Sequence, residues 1–159
     1  MKLYLVISDT HSNIFAARAL IGKYGQIDGI IHLGDYYKDA VRLTETQPKD
    51  RDIFMVPGNC DFVIDMPSEI IIEVEDKRIL LTHGHKYNVK YGIDCLEKKA
   101  LNENIDAVLF GHTHVPLQKV SSNIVFLNPG SLGCPRGSTA TYGLLEVSKK
   151  AIETRILNI

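Results

Sequence analysis

The chain has few cysteines, no long hydrophobic run and no surplus of either charge. Cys60, Cys95 and Cys134 are its three cysteines, an odd number without C-x-x-C spacing. That argues against a disulfide framework and against a thiolate zinc site. No stretch approaches the roughly 20 apolar residues of a membrane span. The run Leu3–Ser8 behind Lys2 is too short for a signal-peptide core followed by a cleavage site. Lys plus Arg number 18 and Asp plus Glu 19, for a formal net charge of −1. So nearly neutral a chain has no electrostatic case for gripping a nucleic acid polymer or an anionic membrane. A soluble, reduced, cytoplasmic protein is the expectation. At 159 residues and 45% hydrophobic composition, so is one domain over 1–159 with a sizeable core.

What is present alternates between apolar runs of strand length and helical periodicity. Leu3–Ile7 is apolar throughout, as in a strand buried on both faces. Ser12 or Asn13 can cap a helix whose inner face is Ile14, Ala17, Leu20, Ile21 and Tyr24. Gly29–Leu33 reads as a strand, Asp39–Thr44 as a short helix, and Asp52–Val56 as a third strand stopped by Pro57-Gly58. These are βαβ units and imply a largely parallel first half. Ile70–Val74 and Arg78–Leu81 flank Glu75-Asp76-Lys77 as a hairpin. A helix fits Ile93–Asn102, with Leu96, Ala100 and Leu101 inside, followed by a strand at Ala107–Phe110. Leu117–Val120, Ile124–Leu127, Thr141–Val147 and Ile152–Leu157 are short strands. The expected fold is α/β, with two mixed sheets stacked as a sandwich and helices outside.

Five polar segments follow these runs: D-T-H at 9–11, G-D at 34–35, G-N-C-D at 58–61, H-G-H at 83–85 and G-H-T-H at 111–114. Ligands of open α/β sheets gather outside the carboxyl ends of the strands. Singly, each segment has a plainer explanation. Asp9 can cap a helix, Gly34-Asp35 and Gly58-Asn59 are ordinary turn dipeptides, and His83 and His85 can be hydrogen-bonded loop residues. Together they hold five of the six histidines. Carboxylate, amide and imidazole donors delivered from many loops to one sheet edge suit two divalent metals and phosphoester hydrolysis. His32, in mid-strand, reads instead as a satisfied core histidine.

The ordered set D-x-H, G-D, G-N-x-D, H and G-H-x-H resembles the calcineurin-like metallophosphoesterase superfamily. The spellings G-N-C-D, T-H-G-H and N-P-G-S are similar to its small YfcE-type phosphodiesterase branch, from Asp9 to about Gly137. That resemblance implies a four-layer α/β/β/α sandwich and a two-metal centre. Asp9, His11 and His114 would hold one ion, Asp35 would bridge, and Asn59, His83 and His112 would complete the second. Catalytic roles would fall to Asp35, Asn59 and His85, with His85 orienting a ligand or facing substrate. The implied reaction is hydrolysis of small phosphodiesters by a metal-bound hydroxide, with Mn²⁺ favoured by family analogy and Ni²⁺, Fe, Co²⁺ or Zn²⁺ admissible.

The fuller superfamily pattern has a histidine where this chain has Cys60. A thiol with pKa near 8.5 is a poor acid for a leaving group, so Cys60 reads first as a small buried hydrophobe. Asn128-Pro129-Gly130-Ser131 is either a turn-rich connection or part of the site, with Arg136 gripping a phosphate oxygen or a substituent. Tyr36 and Tyr37 either line the pocket or form an exposed loop pair. The partner expected is a small phosphoester, and exposed strand edges would allow a homo-oligomer. A phosphomonoesterase is one alternative. Another is a non-catalytic, metal-stabilised protein-binding scaffold, as in the retromer subunit that resembles this branch.

Overall fold

The computed structural model describes residues 1–62, 65–137 and 139–159. Among them are three α-helices and ten strands, the strands forming two five-stranded sheets. The first sheet has the order β10-β9-β1-β2-β3. Its strands are β1 (Lys2–Ile7), β2 (Gly29–His32), β3 (Asp52–Met55), β9 (Thr141–Val147) and β10 (Ile152–Asn158). The second has the order β4-β5-β6-β8-β7, with β4 (Glu69–Val74), β5 (Lys77–Thr82), β6 (Ala107–Leu109), β7 (Leu117–Ser121) and β8 (Ile124–Asn128). Both are mixed. β1, β2 and β3 pair in parallel while β9 runs antiparallel to β1. β5, β6 and β8 are parallel while β4 and β7 pair antiparallel at the edges.

Strand parity explains the layers. Tyr4 and Val6 point between the sheets, meeting Ile79, Leu81, Leu109 and Leu127. Leu5 and Ile7 point the other way, against Ala17, Leu20 and Ile21 of α1 (Ile14–Lys23) and Leu43 of α2 (Tyr37–Thr44). On the far face of the second sheet, Leu80, Val108 and Phe126 meet Leu96 and Ala100 of α3 (Asp94–Asn102). Two sheets with helices on both outer faces give the four layers. Burial on both sides is why the β1 run is continuously apolar.

Local signals act as expected at several ends. Asn13 caps α1, its side chain accepting from the Ala16 N–H at 3.3 Å. Glu75 and Asp76 both have positive φ, 50° and 65°, as the tight β4–β5 turn requires. One helix face differs from the reading: Leu101 is 53% exposed. Leu96 and Ala100, four apart, already fill the inner stripe, and the next residue turns about 100° away from it. Among the described residues no helix is long and apolar enough to cross a membrane.

Candidate metal centre

Every motif loop leaves the carboxyl end of a parallel strand: β1, β2 and β3 in one sheet, β5 and β6 in the other. Backbone pairing continues past those ends and fixes the loops to one another. The Asp9 N–H donates to the Gly34 carbonyl at 3.0 Å and the Gly111 N–H to the His83 carbonyl at 3.1 Å. Two glycines are required by close approach. A Cβ at Gly58 would lie 2.1 Å from Asp35 Oδ1, and one at Gly111 would lie 2.0 Å from Ser8 Oγ and 2.8 Å from Asp9 Oδ2.

The loops bring Asp9, His11, Asp35 and His114 together so that one ligand atom of each lies within 4.8 Å of the others. Asp9 Oδ2 accepts from the Ser8 hydroxyl at 2.5 Å and the His112 N–H at 3.1 Å. Its Oδ1 is buried without a hydrogen bond, with His114 Nε2 at 3.1 Å and His83 Nε2 at 3.9 Å. An orphaned carboxylate oxygen in a buried site is costly unless a cation meets it.

The imidazoles are turned to serve that need. His114 Nδ1 donates to the Cys134 carbonyl at 2.6 Å and His83 Nδ1 to the Leu33 carbonyl at 2.7 Å. A carbonyl only accepts, so the ring protons lie outward and both Nε2 atoms face the cluster, the arrangement typical of metal-ligating histidine. His11 Nε2 is 3.4 Å from His114 Nε2 and 4.0 Å from Asp35 Oδ2. His83 Nε2 lies 3.2 Å from Asn59 Oδ1 and 3.4 Å from Asp35 Oδ1. The His112 ring centroid is 5.1 Å from that of His83. Asp35 therefore stands between both groups of donors, as a bridging residue would.

Residues 1–150 match the calcineurin-like phosphoesterase superfamily domain. The chain belongs to that superfamily. Phosphodiesterase YfcE of Escherichia coli K12 is 31% identical over 173 residues, spanning 92% of this chain and 88% of its own. A conserved Streptococcus pneumoniae protein described as a predicted phosphoesterase has a crystal structure with TM-score 0.80 and 29% identity, covering 99% of this chain and 89% of that one. Vps29 of Chaetomium thermophilum shares the fold at TM-score 0.78 and 19% identity, over 99% of both chains.

Electrostatics within this superfamily site separate the histidines. Burial pushes the His112 pKa down to about 4, helped by the His83 and Lys90 charges, so its ring stays neutral near pH 7. His114 moves up instead, chiefly because the Asp9 carboxylate lies 3.1 Å from its Nε2. Burial opposes ionisation of Asp9, but the nearness of His114 and His83 outweighs it and holds the carboxyl below its usual value. His85 opens the short 3₁₀ turn His85–Tyr87, half-buried, its ring 5.5 Å from His83 and 6.1 Å from His112. Its Nδ1 is buried without a hydrogen bond, and burial lowers its pKa.

Cys60 is not the buried hydrophobe expected; it is exposed. Its backbone N–H donates to Asp35 Oδ1 at 2.9 Å, and its Sγ accepts from Asn59 Nδ2 at 3.5 Å, so it sits at the rim of the site. Partial burial and the Asp35 charge push its thiol up to about 11, leaving it protonated and weakly acidic. Arg136 is exposed, and its backbone N–H donates to the His114 carbonyl at 3.1 Å. Tyr36 is 39% exposed with its ring 4.9 Å from that of His11.

The N-P-G-S segment proves to be part of the framework. Buried Asn128 donates through Nδ2 to the Gly111 carbonyl at 2.9 Å and to Thr113 Oγ1 at 3.0 Å. Ser131 Oγ donates to the Asp9 carbonyl at 2.8 Å. His32 is the satisfied core histidine expected, and it supplies a second support whose link to Asp39 the sequence does not announce. His32, buried and bonded through both ring nitrogens, lies 3.2 Å from Thr10 Oγ1, which donates to Asp39 Oδ2 at 2.8 Å. Asp39 also accepts the Ser12 N–H at 2.9 Å.

Proposed function

We propose that this chain is a metal-dependent hydrolase of small phosphodiesters, working at a two-metal centre. The observation that carries the reading is the cluster of Asp9, His11, Asp35 and His114, with ligand atoms within 4.8 Å of one another. Asp9, His11 and His114 would hold one ion and Asp35 would bridge. Asn59, His83 and His112 would hold the second, because Asn59 Oδ1, His83 Nε2 and Asp35 Oδ1 present lone pairs to one another at 3.2 and 3.4 Å. Such a group is stable only with a proton or a cation among them. Mixed nitrogen and oxygen donors admit Mn²⁺, Fe, Co²⁺, Ni²⁺ and Zn²⁺, and Mn²⁺ is favoured by analogy within the superfamily.

Bound there, divalent ions would polarise a phosphoryl oxygen and bring the pKa of water from 15.7 to about 7. The chain's own groups do the rest. Asp35 holds the two halves of the site in register, and the Asn59 amide can donate to a phosphate oxygen. His85, beside His83 and His112 with Nδ1 unengaged, would orient substrate. Cys60, its thiol pushed up to about 11, is a poor proton donor to a leaving group. Two hollows abut the cluster. One is lined by Thr113 and Arg136, the other by His11, Tyr36, Lys38 and Phe62. Room for two substituents favours a diester over a monoester, in keeping with the naming of YfcE as a phosphodiesterase.

The test pairs a nitrophenyl diester with its monoester, using chelator-stripped protein, Mn²⁺ added back, and Asp35→Asn alongside. Metal-restored diester cleavage that the variant lacks is expected. Faster monoester cleavage would move the substrate class. Absence of turnover despite metal uptake would make a metal-stabilised binding scaffold the better account.

A further inference from the structure

The histidines of the site are held in different ways. His83 and His114 each commit Nδ1 to a backbone carbonyl, at 2.7 and 2.6 Å. The His85 Nδ1 is buried without a hydrogen bond, so no such bond fixes its ring. What carries it is a single 3₁₀ turn, His85–Tyr87, entered through Gly84 at φ 95° and left through Asn88 at φ 53°. A lone turn of this kind has poor hydrogen-bond geometry and little rigidity of its own. Its position has to be imposed from outside.

Two side chains of the turn supply that restraint, and both reach the start of β4. Lys86 Nζ donates to Ser68 Oγ at 2.8 Å, and the Tyr87 hydroxyl donates to Glu69 Oε2. The other oxygen of Glu69 meets Lys99 Nζ of α3 at 3.0 Å, and Lys99 also meets Glu103 at 2.6 Å. The Tyr87 ring packs against the core under α3. Burial and the Glu69 carboxylate push the Tyr87 phenol up to about 12, so it remains the donor. Glu69 stands opposite Thr82, the residue that leads β5 into His83. Turn, edge strand and helix thus meet at one carboxylate. The Glu69 and Lys99 side chains are only 31% and 19% exposed, which sets this network apart from freely solvated ion pairs.

Resting on the phosphoester reading above, the structure assigns Tyr87 and Glu69 as positioning residues for His85. Their influence on the reaction runs through the turn that carries the His85 ring, 5.5 Å from that of His83 and 6.1 Å from that of His112. A misplacement of about 1 Å in a group that orients substrate can cost about 100-fold in rate. Loss of the Tyr87 bond alone leaves the Lys86 anchor in place, so a loss of about tenfold is expected.

A double-mutant cycle reads this coupling. The assay uses Mn²⁺-loaded protein and a nitrophenyl diester. Tyr87→Phe, which keeps the ring and removes only the hydroxyl, should lower kcat/KM about tenfold with Mn²⁺ affinity unchanged. In a His85→Ala background the same change should cost less than about twofold. Glu69→Gln still accepts from the hydroxyl and should lose less than Tyr87→Phe. In chelator-treated protein, the His85 ring signals, assigned with His85→Ala, should shift or broaden in Tyr87→Phe while those of His32 do not change. An equal loss in both backgrounds would make the network a brace for the fold alone and overturn the inference. Unmoved His85 signals, or full activity of Tyr87→Phe or His85→Ala, would overturn it too. Each of these outcomes leaves the phosphoester reading intact, because the unmodified chain still turns over with metal. Absence of metal-dependent turnover in the unmodified chain overturns both.

Discussion

Acid should loosen this molecule at His32 before it reaches most carboxylates. The ring is buried in β2, where Nδ1 accepts the Gly34 N–H at 3.2 Å. Nε2 therefore carries the proton and faces Thr10 Oγ1. A second proton would set a donor against the Gly34 N–H inside a dry layer. Burial accordingly pushes the His32 pKa from 6.5 down to about 4. The unfolded chain takes up its proton near 6.5 and the native one only near 4, so the associated stability is present in full above 6.5 and is lost as pH falls through that window. At roughly 1.4 kcal/mol per pH unit the gap is worth about 3 kcal/mol. Urea unfolding followed by circular dichroism, in chelator from pH 7 to 4.5, measures it against His32→Leu. At pH 7 that variant should be weaker by about 1–3 kcal/mol, because the Gly34 N–H loses its acceptor. It cannot titrate, so its deficit should shrink by about 2 kcal/mol at pH 4.5. Parallel stability curves, or a native His32 resonance titrating near 6.5, would refute the reasoning.

Asp35→Asn should lower metal-dependent diester hydrolysis more than about 100-fold with an unchanged fold, since the carboxylate proposed to bridge the ions is lost; near-normal turnover would count against the shared-ligand assignment. Gly58→Ala places a Cβ 2.1 Å from Asp35 Oδ1 and 2.4 Å from Asp35 N, and a displacement of that size should cost about 100-fold in kcat. Leu80→Ala, in the layer under α3, should destabilise by about 2–5 kcal/mol in urea without altering metal affinity. Free Mn²⁺ at about 100 times its Kd should stabilise the chain by roughly 2.7 kcal/mol, reversed by chelator; an unchanged unfolding midpoint would mean that no specific site forms.

The strands and their parallel order could be read because apolar runs of four to six residues, buried on both faces, leave no helical alternative once glycine and proline bound them. The motif loops could be read because their polar residues follow those runs directly. Errors arose where one residue's rotation or a loop's direction decides exposure. Leu101 sits one step off a stripe that Leu96 and Ala100 already fill, and Cys60 lies in the exposed loop at the rim of the site rather than in the core. Asn128 and Ser131 read equally as turn residues or as part of the site, and nothing in the sequence says that they would hold the carbonyls of Gly111 and Asp9. The His32–Thr10–Asp39 relay joins residues 22 and 29 positions apart. The pairing of β1 with β2 brings Thr10 to His32, and the packing of α2 on that sheet brings Asp39 to Thr10.

The most specific mark of function in the backbone has no sequence signal. Asp9, His11, Asp35, His112 and His114 all have left-handed φ, between 41° and 69°, a conformation that costs non-glycine residues on the order of 1–2 kcal/mol each. Strain of this kind persists only where the surroundings over-determine it, and Asn128 is one of the restraints. Its Nδ2 bridges the Gly111 carbonyl and Thr113 Oγ1, while Oδ1 accepts the Gly130 N–H at 2.9 Å. Asn128→Asp keeps the shape and the Gly130 bond but replaces two donations with a carboxylate oxygen facing a carbonyl. Asn128→Ala removes the donations without the repulsion. Stability should fall by about 1–3 kcal/mol for Ala and further for Asp. Mn²⁺ affinity should fall about 10–100-fold in the same order, as for other groups that orient a ligand from behind. Lost stability with unchanged metal affinity would separate the restraint from the site, and the left-handed backbone would then be a property of the turns alone.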